Sequence, residues 1–243
     1  MTNKKTLLLT RPSLQSEKSA LNIEEMFPNR FRCLISPLLD ISGVGELPDL
    51  APFQAIIFTS ANGVREFVKR GGQTKLPCIC VGDRTTAIAR ENSLDGFSAK
   101  GSADDLVQLA GQVLNPAAGP LLYIRGKKAT GDIAKRLNAF GFAIEELVLY
   151  RQNPRHLTLK VEREFAATKV DLLMLYSPMT ASLLVDTIKK NPKWVLKKIS
   201  VICISRNVEK QLVDLEFGKV RVAETPSQDA MKRLMGEYLR GRL

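Results

Sequence analysis

Short apolar runs alternate with stretches of helical spacing along most of the chain. The runs at 6–10, 32–37, 55–59, 78–81, 121–124, 145–150, 172–176, 200–204 and 221–222 have the length and residue content of core strands. Patterns starting near Leu14, Ala61, Arg84, Ala103, Thr130, Met179, Asn207 and Gln228 predict helices. Ser102 stands ahead of Asp104-Asp105, and Ser227 ahead of Asp229, as N-caps with acid in the first turn. This βαβα order predicts an α/β fold with parallel sheets covered by helices on both faces.

The strand endings carry the chemistry. In IIFTSANGV, residues 56–64, three apolar positions run straight into Thr59, Ser60 and Asn62, and Val64, Phe67 and Val68 then resume at helical spacing. A serine or asparagine here caps a helix, but capping explains one such residue and not three. The same ending recurs in the second half, because the chain contains an internal repeat. LLLTRP resembles LLYIRGK, which pairs Arg11 with Arg125. IIFTSANGV resembles LMLYSPMTA, which pairs Ser60 with Ser177. CICVGDRTTAIA resembles VICISRNVEKQL, which pairs Gly82 with Ser205, and GSADDL resembles PSQDAM, which pairs Ser102 with Ser227. The spacings agree closely: 49 residues from Arg11 to Ser60 against 52 from Arg125 to Ser177. Two similar α/β units are therefore expected. Ligands of open α/β sheets bind at the carboxyl ends of the strands, where each matched residue falls. With two such units, the cleft between their strand-end faces is the natural ligand site.

Composition adds little to the class but narrows the partner. Apolar residues make up 44% and charged residues 25% of 243 residues, an ordinary globular balance. No apolar run approaches the roughly 20 residues that span a bilayer, and Leu7–Leu9 are too few for a secretory leader. A cytoplasmic protein is expected. The net charge of +11 points to an anionic partner. The densest cations, Lys189, Lys190, Lys193, Lys197 and Lys198, read as a solvated face. The four cysteines lie in apolar stretches without CxxC spacing and read as buried free thiols; Cys78 and Cys80 share one strand face.

Most catalytic signatures are missing from the sequence. It has no phosphate loop, no dinucleotide-binding GxGxxG after the first strand and no GxSxG elbow. The one histidine, His156 in NPRHL, reads as a surface loop residue. What is left is a cationic site of hydroxyls, glycines and strand-end amides, suited to a polycarboxylate whose shape must be held.

Taken in order, LLLTRP, IIFTSANGV, VGDRTTAIA, GSADDL, KRLNAFGFAIEELVLY, YSP and TPSQDAM make the sequence resemble uroporphyrinogen-III synthase over nearly its whole length. The resemblance implies two α/β domains with flavodoxin-like layers joined by a two-stranded linker. It divides the chain into 1–35 plus 153–243 and 38–147, with crossovers near 35–38 and 148–153. It implies an enzyme that dehydrates the linear tetrapyrrole hydroxymethylbilane and closes it with inversion of ring D, and it implies no metal or organic cofactor. The family's tyrosine falls on Tyr150, expected to assist departure of the hydroxyl. Substrate-binding positions are expected at Arg11, Thr59, Ser60, Asn62, Thr85, Arg125, Gly126, Ser177 and Ser205. Tyr176, beside Ser177, is a weaker candidate. Many relatives carry glycine and then threonines in the last strand-end turn, where this chain has Ser205-Arg206-Asn207. Expected partners are the bilane and, transiently, the enzyme that forms it. No nucleic acid or membrane is expected, and the chain is expected to be a monomer. The alternative is a non-catalytic two-domain sensor of an anionic small molecule. A nucleic-acid binder would need stacking aromatics, and only 6% of residues are aromatic.

Overall fold

The computed structural model describes residues 4–128 and 132–242. The chain divides into two compact units, one made of Met1–Asp40 with Asn153–Leu243 and the other of Ile41–Gln152. In chain order the elements of the first stretch are β1 (Lys5–Leu9), α1 (Ser13–Met26), β2 (Phe31–Ile35) and β3 (Leu39–Gly43). The middle of the chain supplies β4 (Ala55–Phe58), α2 (Ala61–Lys69), β5 (Cys78–Cys80), α3 (Asp83–Glu91), β6 (Gly96–Ser98), α4 (Ala103–Val113), β7 (Leu121–Gly126), α5 (Ile133–Ala139) and β8 (Ile144–Pro154). The last stretch supplies α6 (Leu159–Ala166), β9 (Leu172–Leu175), α7 (Pro178–Lys189), β10 (Ser200–Cys203), α8 (Arg206–Glu209), β11 (Lys219–Val222) and α9 (Gln228–Leu239). The helix start expected near Thr130 lies outside the described residues.

One sheet runs β11-β10-β9-β1-β2 with every pairing parallel. The other runs β3-β8-β7-β4-β5-β6, parallel from β8 through β6. Successive residues of a strand point to opposite faces, so a sheet covered on both sides needs apolar residues at every position. In the first sheet Leu7, Leu9, Leu172 and Met174 face α1 and α9, while Leu8, Leu173 and Leu175 face α6 and α7. In the second sheet Ile56, Phe58, Cys78 and Cys80 face α2 and α3, and Ala55, Ile57 and Ile79 face α4 and α5. Cys78 and Cys80 thus share a face, and all four cysteines are free. Burial pushes the thiols of Cys78 and Cys203 up to about 12, which keeps them protonated and inert at neutral pH.

Serines start most of the long helices. Ser60, Ser177 and Ser227 accept N–H bonds from Asn62, Thr180 and Ala230 respectively. Ser102 forms a reciprocal capping box with Asp105. α3 and α8 instead start at Gly82 and Ser205 without a side-chain cap.

Candidate active site

The strand orders locate a switch point in each unit. From β4 the chain passes through α2 to β5 on one side, and from β7 it passes through α5 to β8 on the other. α2 covers one face with Val64 and Phe67, and α5 covers the opposite face with Ile133 and Leu137. The two connections therefore part between β4 and β7, opening a crevice at their carboxyl ends. The other unit repeats the arrangement between β1 and β9, whose following helices, α1 and α7, lie on opposite faces.

The first of these crevices is lined by hydroxyls. Ser60, which follows Thr59 directly, has extended backbone. Thr59 Oγ1 lies 3.3 Å from the phenol oxygen of Tyr123. Ser60 takes the Asn62 N–H at 3.1 Å and also hydrogen-bonds the phenol of Tyr150. Tyr150 stands opposite Gly126 in the β7–β8 register, at an irregularity between Arg125 and Gly126. A Cβ on Gly126 would lie 2.7 Å from Cε2 and Cζ of the Tyr150 ring, so only glycine lets the phenol lie there. Tyr150 is 6% exposed. Burial raises the pKa of its phenol, the Ser60 hydrogen bond lowers it, and neighbouring Tyr123 raises it, for a net rise. The result is a protonated donor in a pocket of small polar groups.

Arg125 sits at the same strand end but is engaged: its guanidinium pairs with Glu146 and donates to the Gly126 carbonyl at 3.2 Å. Thr85 stands one strand over, buried in the first turn of α3, its amide bonded to the Gly82 carbonyl at 3.0 Å. In the other unit, Arg11 lies two residues past the end of β1 and is only 7% exposed. Its Nη1 donates to Ser19 Oγ at 3.1 Å, and its Cζ sits 4.1 Å above the ring of Tyr176. Ser177, next to Tyr176, caps α7, and its hydroxyl lies 2.7 Å from Thr180 Oγ1. Ser205 occupies the start of α8 without spending its hydroxyl on a cap. Thr59, Ser60, Asn62, Arg125, Gly126 and Tyr150 therefore gather at one switch point and Arg11 and Ser177 at the other, with Thr85 and Ser205 each one strand away. Among the described residues, no three His, Cys, Asp or Glu side chains come together as a metal site requires.

The model of the family described as uroporphyrinogen-III synthase HemD matches residues 29–233. The chain belongs to the uroporphyrinogen-III synthase family. The uroporphyrinogen-III synthase of Chlorobaculum parvum is 29% identical over 191 residues, which is 73% of this chain and 76% of that one. The crystal structure of the Helicobacter pylori uroporphyrinogen-III synthetase has the same fold, with a TM-score of 0.64 at 17% identity over 97% of this chain and all of that one. A mutant uroporphyrinogen III synthase of Thermus thermophilus gives 0.60 at 17% identity over 98% of this chain and all of that one.

Two residues of this synthase-family chain escape sequence reasoning. Tyr123 reads as one more core aromatic in LLYIRG, and Glu146 as a solvated acid. Tyr123 aligns with Ile57 across the β4–β7 pairing and Glu146 with Tyr123 across β7–β8. Only that register, which no local pattern encodes, brings Tyr123 to Thr59 and Glu146 to Arg125.

Proposed function

We propose that this chain works as a uroporphyrinogen-III synthase, a cyclising hydro-lyase of tetrapyrrole biosynthesis acting on hydroxymethylbilane. The Tyr150 phenol carries the reading: a buried, protonated donor held against Gly126 beside Ser60 at a switch point. In this proposal Tyr150 donates a hydrogen bond to the hydroxyl leaving ring A. The C–O bond breaks, the hydroxyl takes a proton from Tyr150 and departs as water, and an azafulvenium cation remains; the proton released on ring closure restores the phenol. The substituted carbon of ring D attacks that cation to form a spiro intermediate, which fragments and recombines to close the ring. Without control of the folded shape, closure at the unsubstituted carbon gives isomer I. The chain's part is therefore chiefly to hold one conformation.

The polar strand ends support the same reading. A substrate with many carboxylates needs many N–H and O–H donors, and Thr59, Ser60, Asn62, Thr85, Ser177 and Ser205 supply hydroxyls or amides. Arg11 contributes as a buried cation stacked on Tyr176. Arg125, paired with Glu146, contributes through the backbone geometry it fixes at Gly126. The free thiols suit a monomeric enzyme of the reducing cytoplasm. The test is an isomer assay on freshly made hydroxymethylbilane with oxidised products separated. Dominant uroporphyrin III supports the proposal. Isomer I alone, at the spontaneous rate, overturns it and favours an anion sensor.

A further inference from the structure

Tyr123 is a buried phenol that the proposed chemistry does not use. It lies on β7, is 4% exposed, and pairs across the sheet with Ile57 of β4. Its ring packs with Ile57, Ile79, Leu137 and Phe142 between the sheet and the helices α4 and α5. Phenylalanine would fill that space equally well, so the hydroxyl is what needs explaining. A phenol buried in an apolar layer costs free energy unless its O–H finds a partner. Among the described residues its partner is Thr59 Oγ1, at 3.3 Å.

Thr59 leads directly into Ser60, and Ser60 hydrogen-bonds the phenol of Tyr150. The Ser60 oxygen takes the Asn62 N–H at 3.1 Å. Once Tyr150 has given its proton to the leaving hydroxyl, its oxygen can only accept. Ser60 still has its own proton to donate. That bond steadies the phenolate in a buried site, where an unpaired charge is costly. It depends on where residues 59 and 60 lie. Helix α2 holds Ser60 through the Asn62 N–H. From β7, the hold on the same two residues is the Tyr123 hydroxyl on Thr59. Tyr123 is also close enough to Tyr150 to act on its phenol electrostatically.

We infer that Tyr123 is a positioning residue of this site: its hydroxyl anchors Thr59 to β7 and so sets the Ser60 hydroxyl against Tyr150. The inference rests on the proposed function and concerns only the unit Ile41–Gln152. It gives β7 two parts in the site. Gly126 makes room for the Tyr150 ring, and Tyr123 fixes the residues that hold its oxygen.

The test uses two near-isosteric changes, Tyr123→Phe and Thr59→Val, made singly and together in the full chain. Tyrosine carrying carbon-13 at Cζ gives a separate nuclear magnetic resonance signal for each phenol, and the Tyr150 signal is identified by its loss in Tyr150→Phe. At neutral pH each single change should move the Tyr150 signal, and the double change should move it no further than the larger of the two. The signals of Tyr176 and Tyr238, which belong to the other unit, should stay in place. With hydroxymethylbilane, Tyr123→Phe should lower kcat about fivefold at little changed KM. In a Tyr150→Phe background the same change should lower kcat less than about twofold, because Tyr123 acts through the donor. A still Tyr150 signal, additive shifts in the double variant, or an undiminished kcat loss in the Tyr150→Phe background overturns the inference. The isomer assay on the wild-type chain keeps the two ideas apart. Isomer III with a still Tyr150 signal removes the role of Tyr123 alone. Isomer I with coupled shifts removes the synthase reading and leaves Tyr123 as the anchor of Thr59 and Ser60.

Discussion

Replacing Gly126 by alanine sets a methyl carbon 2.7 Å from the Tyr150 ring, well inside van der Waals contact. The ring or the strand end must move, at a cost of about 1–3 kcal/mol. Gly126→Ala is therefore expected to lower both stability, read by urea unfolding, and turnover of hydroxymethylbilane. Tyr150→Phe keeps the ring and deletes the donor, so it should leave stability within about 1 kcal/mol while lowering kcat at least about tenfold. An unchanged kcat in Tyr150→Phe would remove the phenol from the mechanism. The pH dependence follows from the direction of the shift. Burial holds the phenol pKa above its ordinary value of 10, so the donor form persists through neutral and mildly alkaline solution. The ratio of wild-type to Tyr150→Phe kcat should stay constant up to about pH 9.5 and shrink only above the ordinary phenol range. A ratio that grows from pH 8 upward would mean that the phenol acts in its ionised form.

At the scale of elements, the two helix-start serines separate capping from binding. Ser177 gives its hydroxyl to the Thr180 N–H, so Ser177→Ala should cost about 1 kcal/mol and lower Tm by about 2–4 °C. Ser205 stands at the same place in α8 without that bond, so Ser205→Ala should leave Tm within about 1 °C. A loss of activity in Ser205→Ala then reports substrate contact. Equal Tm losses in the two variants would contradict the difference in capping. Most of these elements are legible from pattern, since strands buried on both faces announce themselves as continuous apolar runs. The exceptions have physical causes. β6 is only Gly-Phe-Ser, and β3 is the half-polar edge strand Leu-Asp-Ile-Ser-Gly, so neither offers an apolar run. α6 shows only Val161 and Phe165 to the core from eight largely charged residues, a stripe too thin to stand out. The strand-end hydroxyls were visible for the opposite reason, because they interrupt apolar runs. Tyr123 was invisible because nothing interrupts around it.

For the whole molecule, the internal repeat and the compact units are different divisions of the same chain. The order β2-β1-β9-β10-β11 in one sheet corresponds to β8-β7-β4-β5-β6 in the other. This equates β1 with β7, β9 with β4, β10 with β5 and β11 with β6, the same equivalences that the motif matches give. Yet the first sequence copy places β1 in one unit and β4, β5 and β6 in the other, and the second copy reverses this. Each unit is thus assembled from the head of one repeat and the tail of the other, which a linear reading of repeats does not reveal. The consequence for folding is asymmetric. Both core clusters of the middle unit draw their members from one continuous stretch of chain, while those of the other unit need residues from both ends. A fragment of residues 39–154 should therefore fold alone, with α/β circular dichroism, dispersed amide resonances and a cooperative urea transition. Residues 1–40 carry only β1, α1, β2 and the start of β3, without β9 to complete the switch point, and should be unfolded until residues 153–243 are added. A disordered 39–154 fragment would mean that the middle unit takes its stability from the rest of the chain. A self-folding 1–40 fragment would mean that the β1–α1–β2 unit does not depend on the strand beside it.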